Sequence, residues 1–524
     1  MAKPIIEELE FSDQRIFDNI HGFIRLTDFE WELVDSPIFQ RLRNIRQLGL
    51  LDYVFPGALH NRFNHSLGVM HIADRMAVSL QEKGKLNGGN SREIVRIAAL
   101  LHDVGHYPWS HIIEAAVKKD AKKRVPIDSK QINIEISSSR DSFVPDERLT
   151  SSKSHKLNLS LYTQRNPSFD FAHHERMAGI VLFKTSLYPL LKKKFSHEEI
   201  IKISQIIAGE YPGPEKIIIH SELDADRFDY LLRDSSQTGV PYGFFDLNQI
   251  IRNIDLYTET GQKEGSTGLV INKKGQKAVE HYLLSRYFLY STVIYQKTTT
   301  GFHRMAERIY TGLLERGLVH SYSDLMTMFD TGNENKYLNY DDSYIFEKLK
   351  EIQNNPKSIK PIKNQAVSPV FLKELIRKVL YRDPLKRVLE EQMILQRTEK
   401  QDDEKPHKLM KYFDPVTIEH IVKQAGIPKE WYITSRIENP ITGLGPSKLT
   451  KDGDFDDEFV EHKIKIFNGK DAPISLTKEK SSLLKYLKNS ELHIYGIYTK
   501  NEDFQKKILE AIKQDELAAR AIDQ

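Results

Sequence analysis

The sequence predicts a mostly α-helical protein with a smaller α+β region at its C-terminal end. Three observations carry that prediction. Apolar residues recur at three- and four-residue spacing over long stretches of the first 396 positions. Helix-starting and helix-ending residues bracket those stretches. The β-branched and aromatic runs that read as strands gather late, at Phe459–Phe467 and His493–Tyr498.

The elements follow in order. Asp35 followed by Pro37 predicts a helix start, with Ile38, Leu42 and Ile45 on its apolar face. From Leu67, the residues Met70, Ala73, Ala77 and Leu80 keep a helical period up to Gly84. Asn90 and Glu93 have the spacing of a capping box before Ile94, Ile97, Ala98 and Leu101. Segments 174–192, 197–208, 221–234 and 276–316 are predicted helices, and Gly261, Gly265 and Gly268 predict a short hairpin. Residues 118–166 are polar and basic with few large apolar side chains, which suits an insertion, and 397–405 is a charged linker candidate. The expected division is a core over 1–396 and an α+β region over 397–524.

Composition narrows the function classes. The chain has 524 residues, 40% hydrophobic and 28% charged, the balance of a soluble globular protein. Lys+Arg is 76 against 73 Asp+Glu, so the net charge of +3 gives no global argument for nucleic-acid binding. The absence of cysteine excludes disulfides, thiolate metal sites and cysteine nucleophiles, and fits a cytoplasmic setting. Met1 to Phe11 lacks the basic and apolar regions of a signal peptide, and no apolar run reaches membrane-spanning length, so no membrane partner is expected.

Histidine carries the functional signal. Six of the 19 histidines fall between His60 and His111. The dipeptide His102-Asp103 ends an otherwise apolar helix, where charge is costly unless paired or metal-bound. His102 and His106 are spaced to share one helix face. Imidazoles and carboxylates without thiolates suit iron, manganese, nickel, cobalt or zinc in a hydrolytic site.

Three strings carry a resemblance. These are Phe63-Asn64-His65-Ser66-Leu67-Gly68-Val69, the run Leu101-His102-Asp103-Val104-Gly105-His106-Tyr107-Pro108-Trp109-Ser110-His111, and Leu223-Asp224-Ala225-Asp226-Arg227-Phe228-Asp229-Tyr230-Leu231-Leu232-Arg233-Asp234. Together they resemble the HD phosphohydrolase superfamily and, within it, the deoxynucleoside triphosphate (dNTP) triphosphohydrolases. The likeness spans roughly residues 14–390. It implies an HD-superfamily helical core without a SAM domain, and a reaction that converts a dNTP to deoxynucleoside and triphosphate.

The resemblance also implies roles. His65, His102, Asp103 and Asp226 would hold a divalent transition metal (Mn, Fe or Zn), with Mg entering alongside the triphosphate. His106, His111, Glu114 and His174 would be catalytic, His111 protonating the leaving oxygen while Glu114 orients its ring. Arg62 would meet the α-phosphate, and Arg227 would add charge to the triphosphate. Gln47 with Leu48, Tyr230, Asp234, Tyr295 and Gln296 would surround the sugar, Tyr295 excluding a 2′-hydroxyl. Asp35, Gln40 and Arg43, with Arg382 and Lys386 reaching a triphosphate, would form an allosteric site for GTP or a dNTP between subunits of a homotetramer. The expected role is dNTP pool control or antiphage defence. Two alternatives stand beside it. One is hydrolysis of another phosphoester, such as a nucleoside monophosphate, a cyclic nucleotide or a nucleic-acid end. The other is a nucleotide-sensing or single-strand nucleic-acid-binding module, which would use the basic stretch 118–166.

Overall fold

A computed structural model of the chain describes residues 6–86, 89–124, 134–135, 156–157, 172–258, 267–363, 365–396, 409–440, 464–469, 472–487 and 490–522. Helices dominate, as the sequence predicts. A short hairpin comes first, with Arg15–Asp18 antiparallel to Gly22–Arg25 and Phe17 opposite Phe23. Gly22 has φ +71°, the left-handed value its tight turn needs.

The centre of the core is the helix Ser91–Leu101, buried along its whole length. Its charges are buried as pairs. Arg96 donates to Glu30 at 2.7 and 2.6 Å, and Arg92 donates to Asp74 at 2.7 and 3.1 Å. The long helix Arg62–Glu82 lies against it, capped by Asn61, which accepts from the Asn64 N–H at 3.2 Å. Phe63, Leu67, Met70, Ala73, Met76 and Leu80 of that helix join the core.

Several local expectations need correction. The segment from Pro37 is a single α-turn, Pro37–Gln40, continued by a 3₁₀ turn at Arg41–Asn44. Its cap is Ser36, which accepts from the Phe39 N–H, whereas Asp35 ends the preceding helix Asp28–Val34. Asn90 precedes its helix without capping it by side chain, because its amide donates to Glu199 instead. Segment 174–192 is two helices, His174–Lys184 and Leu187–Leu191. Pro189 is tolerated only in a first turn, so a new helix starts just before it. Segment 276–316 breaks at a π-helical turn, Tyr290–Ile294, and restarts as Lys297–Leu314. The Gln296 side chain caps that restart, accepting from Thr298 N and Thr299 N at 2.7 and 2.9 Å. Residues 118–124, expected within the polar insertion, continue the helix His111–Arg124. Beyond them, Ile134–Glu135 pairs with Lys156–Leu157, and the rest of 125–171 lies outside the described residues. The linker candidate 397–405 also lies outside them.

The predicted hairpin is formed by Ile254–Thr258 and Thr267–Asn272, in antiparallel register. Lys465–Phe467 adds to it in parallel and carries Ile474–Ser475 as an edge. A second sheet places Ser490–Thr499 between Lys386–Gln396 and Tyr432–Pro440, all antiparallel, with helices Pro415–Gln424 and Glu502–Ile522 packed together beside it. Among the described residues, no helix is long and apolar enough to cross a membrane.

Candidate metal centre

Three helices bring four predicted ligands together. His65 lies one turn inside Arg62–Glu82, and His102-Asp103 follows directly on Ser91–Leu101. Asp226 opens Ala225–Thr238, which is capped by Asp224 accepting from the Arg227 N–H at 2.8 Å. His65 Nε2 lies 2.9 Å from Asp226 Oδ1 and 3.9 Å from Asp103 Oδ2. His102 Nε2 lies 3.4 Å from Asp103 Oδ1 and 3.9 Å from Asp226 Oδ1. The ligand atoms of His65, His102 and Asp226 all fall within 4.8 Å of one another.

The hydrogen bonds settle which atoms face this point. The His65 Nδ1–H donates to Asp229 at 2.8 Å, and the His102 Nδ1–H donates to the Ala99 carbonyl at 2.7 Å. Both acceptors lack a proton, so in neutral rings both Nε2 atoms present lone pairs. His102 Nε2 is buried with no hydrogen-bond partner. Lone pairs and carboxylate oxygens facing one another require a proton or a cation between them. For His65, burial pushes the pKa down, but the hydrogen bonds to Asp226 and Asp229 outweigh it and raise it to about 10. Burial raises Asp226 and Asp103, yet His65 beside the first and Arg62 beside the second hold both carboxyls well below the usual range. These groups can hold a divalent metal.

A second cluster adjoins the first through His106, whose Nε2 is 3.6 Å from Asp103 Oδ1. His106 stacks on His174 with centroids 4.0 Å apart, and the ligand atoms of His106, His111 and His174 converge within 4.8 Å. Burial, then the charge of Arg62, drives His106 well below its ordinary pKa, so its ring is neutral. Both of its nitrogens are buried without partners. His111 is the exposed ring, and its Nδ1–H donates to buried Glu114 at 2.8 Å. Glu114 also accepts from the His174 N–H at 3.2 Å and from Lys118 at 2.8 Å. Burial raises Glu114, but the bonds from His111 and His174 hold it far below the carboxylate range. His173 instead caps its own helix by accepting from Glu175 N at 3.4 Å, which leaves His174 to face the cluster. Gly105 permits the close approach. A Cβ there would lie 2.1 Å from Ala178 N and 2.3 Å from His174 O.

Arg62 donates through Nη1 to Asp103 at 2.6 Å and through Nε to Ser110 Oγ at 2.9 Å. Ser110 and Trp109 both have positive φ, 54° and 50°, a strained turn for side-chain-bearing residues. That turn lets Ser110 Oγ donate to the Arg46 carbonyl at 2.7 Å. Buried Asp342 holds it from behind, accepting from Trp109 N at 2.7 Å and Arg46 N at 3.1 Å.

The predicted sugar residues form two groups. Gln47 donates its backbone N–H to the His60 carbonyl at 3.1 Å, and His60 donates to Asp234 at 2.7 Å. Gln47 is buried and Leu48 half-buried beside it. Tyr230 and Tyr295 meet through Tyr290, with hydroxyls 3.2 Å apart on one side and ring centroids 5.5 Å apart on the other. Gln296 is engaged as the helix cap described above. Arg227 folds back on its own turn, donating to the Ser221 carbonyl at 2.5 Å and pairing with Asp224. Of the allosteric candidates, Gln40 accepts from Arg43 at 2.7 Å and Arg43 covers the Phe63 ring at 3.6 Å, while Asp35 is exposed. Arg382 donates to the Tyr53 carbonyl at 2.6 Å, and Lys386 pairs with Glu502 at 3.0 Å.

Sequence reasoning missed His60, Ser110, Asp342 and the group Asp18, His21, Asp229 and Arg233. A signal for the last group was present. Asp226, Asp229 and Arg233 share one helical face, and two of them are charged residues on the same side as a candidate ligand.

Residues 62–147 match the HD domain family. That stretch of the chain is similar to the HD domain. The chain is 32% identical over 311 residues to the uncharacterized protein YwfO of Bacillus subtilis, covering 59% of this chain and 57% of that protein. It is 34% identical over 238 residues to the deoxynucleoside triphosphate triphosphohydrolase SAMHD1 of Mus musculus, covering 43% of this chain and 32% of that protein. The chain thus spans little more than half the length of the first of these relatives and about a third of the second. Two solved structures share the fold over nearly the whole chain. A protein from Aquifex aeolicus has TM-score 0.63 and 24% identity, covering 95% of this chain and 99% of that one. A phosphohydrolase from Bacteroides thetaiotaomicron has TM-score 0.59 and 22% identity, covering 94% and 100%.

Proposed function

We propose that this protein is a divalent-metal-dependent HD-domain phosphohydrolase that cleaves dNTPs to deoxynucleoside and intact triphosphate. The observation that carries the reading is the convergence of His65 Nε2, His102 Nε2, Asp103 and Asp226 on one buried point, where a cation can take the place of the proton that His65 otherwise shares with Asp226. The nitrogen and oxygen donors suit Mn, Fe or Zn, with Mg accompanying the triphosphate. A cation there supplies Lewis acidity toward a phosphate oxygen and acidifies an attacking water.

The chain's own groups do the rest. Arg62 brings positive charge beside Asp103 for the α-phosphate oxygens. Water attacks the α-phosphorus and the bond to the 5′-oxygen breaks. That oxygen takes a proton from Nε2 of the doubly protonated His111 ring, whose Nδ1–H stays on Glu114, and the proton lost by the attacking water passes to solvent, from which the ring is recharged. Neutral, buried His106 and His174 wall the reacting centre. Gln47 and Asp234 would meet the 3′-hydroxyl, and the Tyr230–Tyr290–Tyr295 row would face the sugar. We extend the reading to an activating nucleotide, GTP or a dNTP, at Asp35, Gln40, Arg43, Arg382 and Lys386 in a homotetramer, serving dNTP pool control or antiphage defence.

The test is product identity. Each dNTP is incubated alone, in pairs and with GTP, in Mg²⁺ or Mn²⁺, with Asp226→Ala as control. Deoxynucleoside plus triphosphate, absent from the control, is expected. Release of orthophosphate or pyrophosphate instead, or turnover confined to mononucleotides, would overturn the dNTP reading.

A further inference from the structure

We propose that Asp229 and His21 are positioning residues for His65, so that the N-terminal hairpin Arg15–Arg25 sets the divalent-cation affinity of the HD site. The inference rests on reading His65, His102, Asp103 and Asp226 as cation ligands.

An imidazole ligates through one nitrogen only if the other holds the proton and the ring cannot turn. Asp229 meets both conditions for His65. It is fully buried, and its Oδ2 accepts from His65 Nδ1 and from Arg233 Nε, each at 2.8 Å. Its Oδ1 accepts from His21 Nε2 at 2.6 Å and from Arg233 Nη2 at 2.9 Å. Four donors fill the carboxylate, so it cannot swing away from His65 without breaking buried bonds.

Two of the three residues that supply those donors, His21 and Arg233, are set by the hairpin. Asp18 accepts from the backbone N–H groups of Ile20 and His21 at 2.9 and 3.0 Å, which forms the turn that presents His21. Asp18 also accepts from Arg233 Nη1 at 2.8 Å. Hairpin, helix Ala225–Thr238 and His65 are therefore one continuous network of charge-assisted bonds. Gly68, one turn beyond His65, leaves the space. A Cβ there would lie 1.9 Å from Asp229 Oδ1. If Asp229 served only to neutralise Arg233, Asp18 alone would supply the charge, and the bonds to two imidazoles would have no purpose.

The experiment titrates Mn²⁺ into the full-length chain after dialysis against EDTA, read by calorimetry. Asp229→Asn is expected to raise the Mn²⁺ Kd about 10–100-fold. His21→Ala, which leaves Arg233 and Asp229 paired, is expected to raise it about fivefold. Asp74→Asn disturbs another buried ion-pair group on the same long helix and should leave Kd within about twofold. In a His65→Ala background, Asp229→Asn should add no further loss, which a merely structural role would not produce. If Asp229→Asn fails to fold, His21→Ala decides. Wild-type chain that binds no Mn²⁺ would overturn the ligand reading and this proposal with it. Wild-type binding with both variants within twofold would overturn the positioning role alone.

Discussion

Gly68→Ala should destabilise the protein, although alanine is the better helix former. Gly68 sits inside Arg62–Glu82, where propensity alone favours alanine by about 1 kcal/mol. The structure opposes that gain. The new Cβ would lie 1.9 Å from Asp229 Oδ1, 2.5 Å from Arg233 Nη2 and 2.7 Å from Asp229 Cγ, where ordinary contact begins at 3.4 Å. The two helices would have to part by about 1.5 Å, or Asp229 would have to leave its four donors. Overpacking of this kind costs about 1–3 kcal/mol, and splitting a buried ion pair about 3–5 kcal/mol. The cheaper response sets the cost, and with contacts this short it falls at the upper end of the overpacking range, so a net loss of about 1–2 kcal/mol is expected. Urea denaturation followed by circular dichroism reads this as a lower midpoint at an unchanged slope. A variant as stable as wild type, or more stable, would show that the helices do not meet at Gly68 and that Asp229 is not where the account places it.

Other outcomes follow from the same contacts. Burial raises the pKa of Asp342 to about 7. The folded chain then holds a proton that the unfolded chain releases near 4, so this group's stabilisation is full below about pH 4 and is lost as pH rises through about 7. Urea midpoints of wild type and Asp342→Asn should therefore differ most in wild type's favour near pH 4 and converge toward pH 8, and a pH-independent difference would contradict the assignment. Glu114→Gln should lower turnover about 100-fold with little change in KM, since it acts on His111 rather than on bound substrate; steady-state rates on whichever dNTP is turned over check this, and unchanged kcat would remove His111 from the proton-donor role. Arg96→Met should cost about 3–5 kcal/mol in a urea melt, because it leaves Glu30 buried without its cation.

The helical class and the His102-Asp103 part of the candidate site were legible because each rests on local signals. Periodic apolar residues mark the helices, and His102-Asp103 at the end of an apolar run is costly without a partner. What failed locally had tertiary causes. Asn90 has the right spacing for a capping box, but Glu199, over a hundred positions away, takes its side chain. Segment 276–316 has continuous helical periodicity, yet Gln296 turns inward as a cap and the helix restarts. Asp229 and Arg233 stood in the quoted motif without a role, because their partners Asp18 and His21 come from a hairpin some 200 positions earlier. Asp342 was invisible for the same reason, since nothing in its neighbourhood announces the strained turn at Trp109-Ser110 that it holds.

The most direct test of the metal centre is a crystal structure of the full chain grown with Mn²⁺ and measured at the manganese absorption edge. The account predicts an anomalous peak bonded to His65 Nε2 and His102 Nε2, with Asp103 and Asp226 oxygens completing the protein ligands, and its loss in Asp226→Ala. A chain with no peak at that point, or with the ion bound elsewhere, would contradict it.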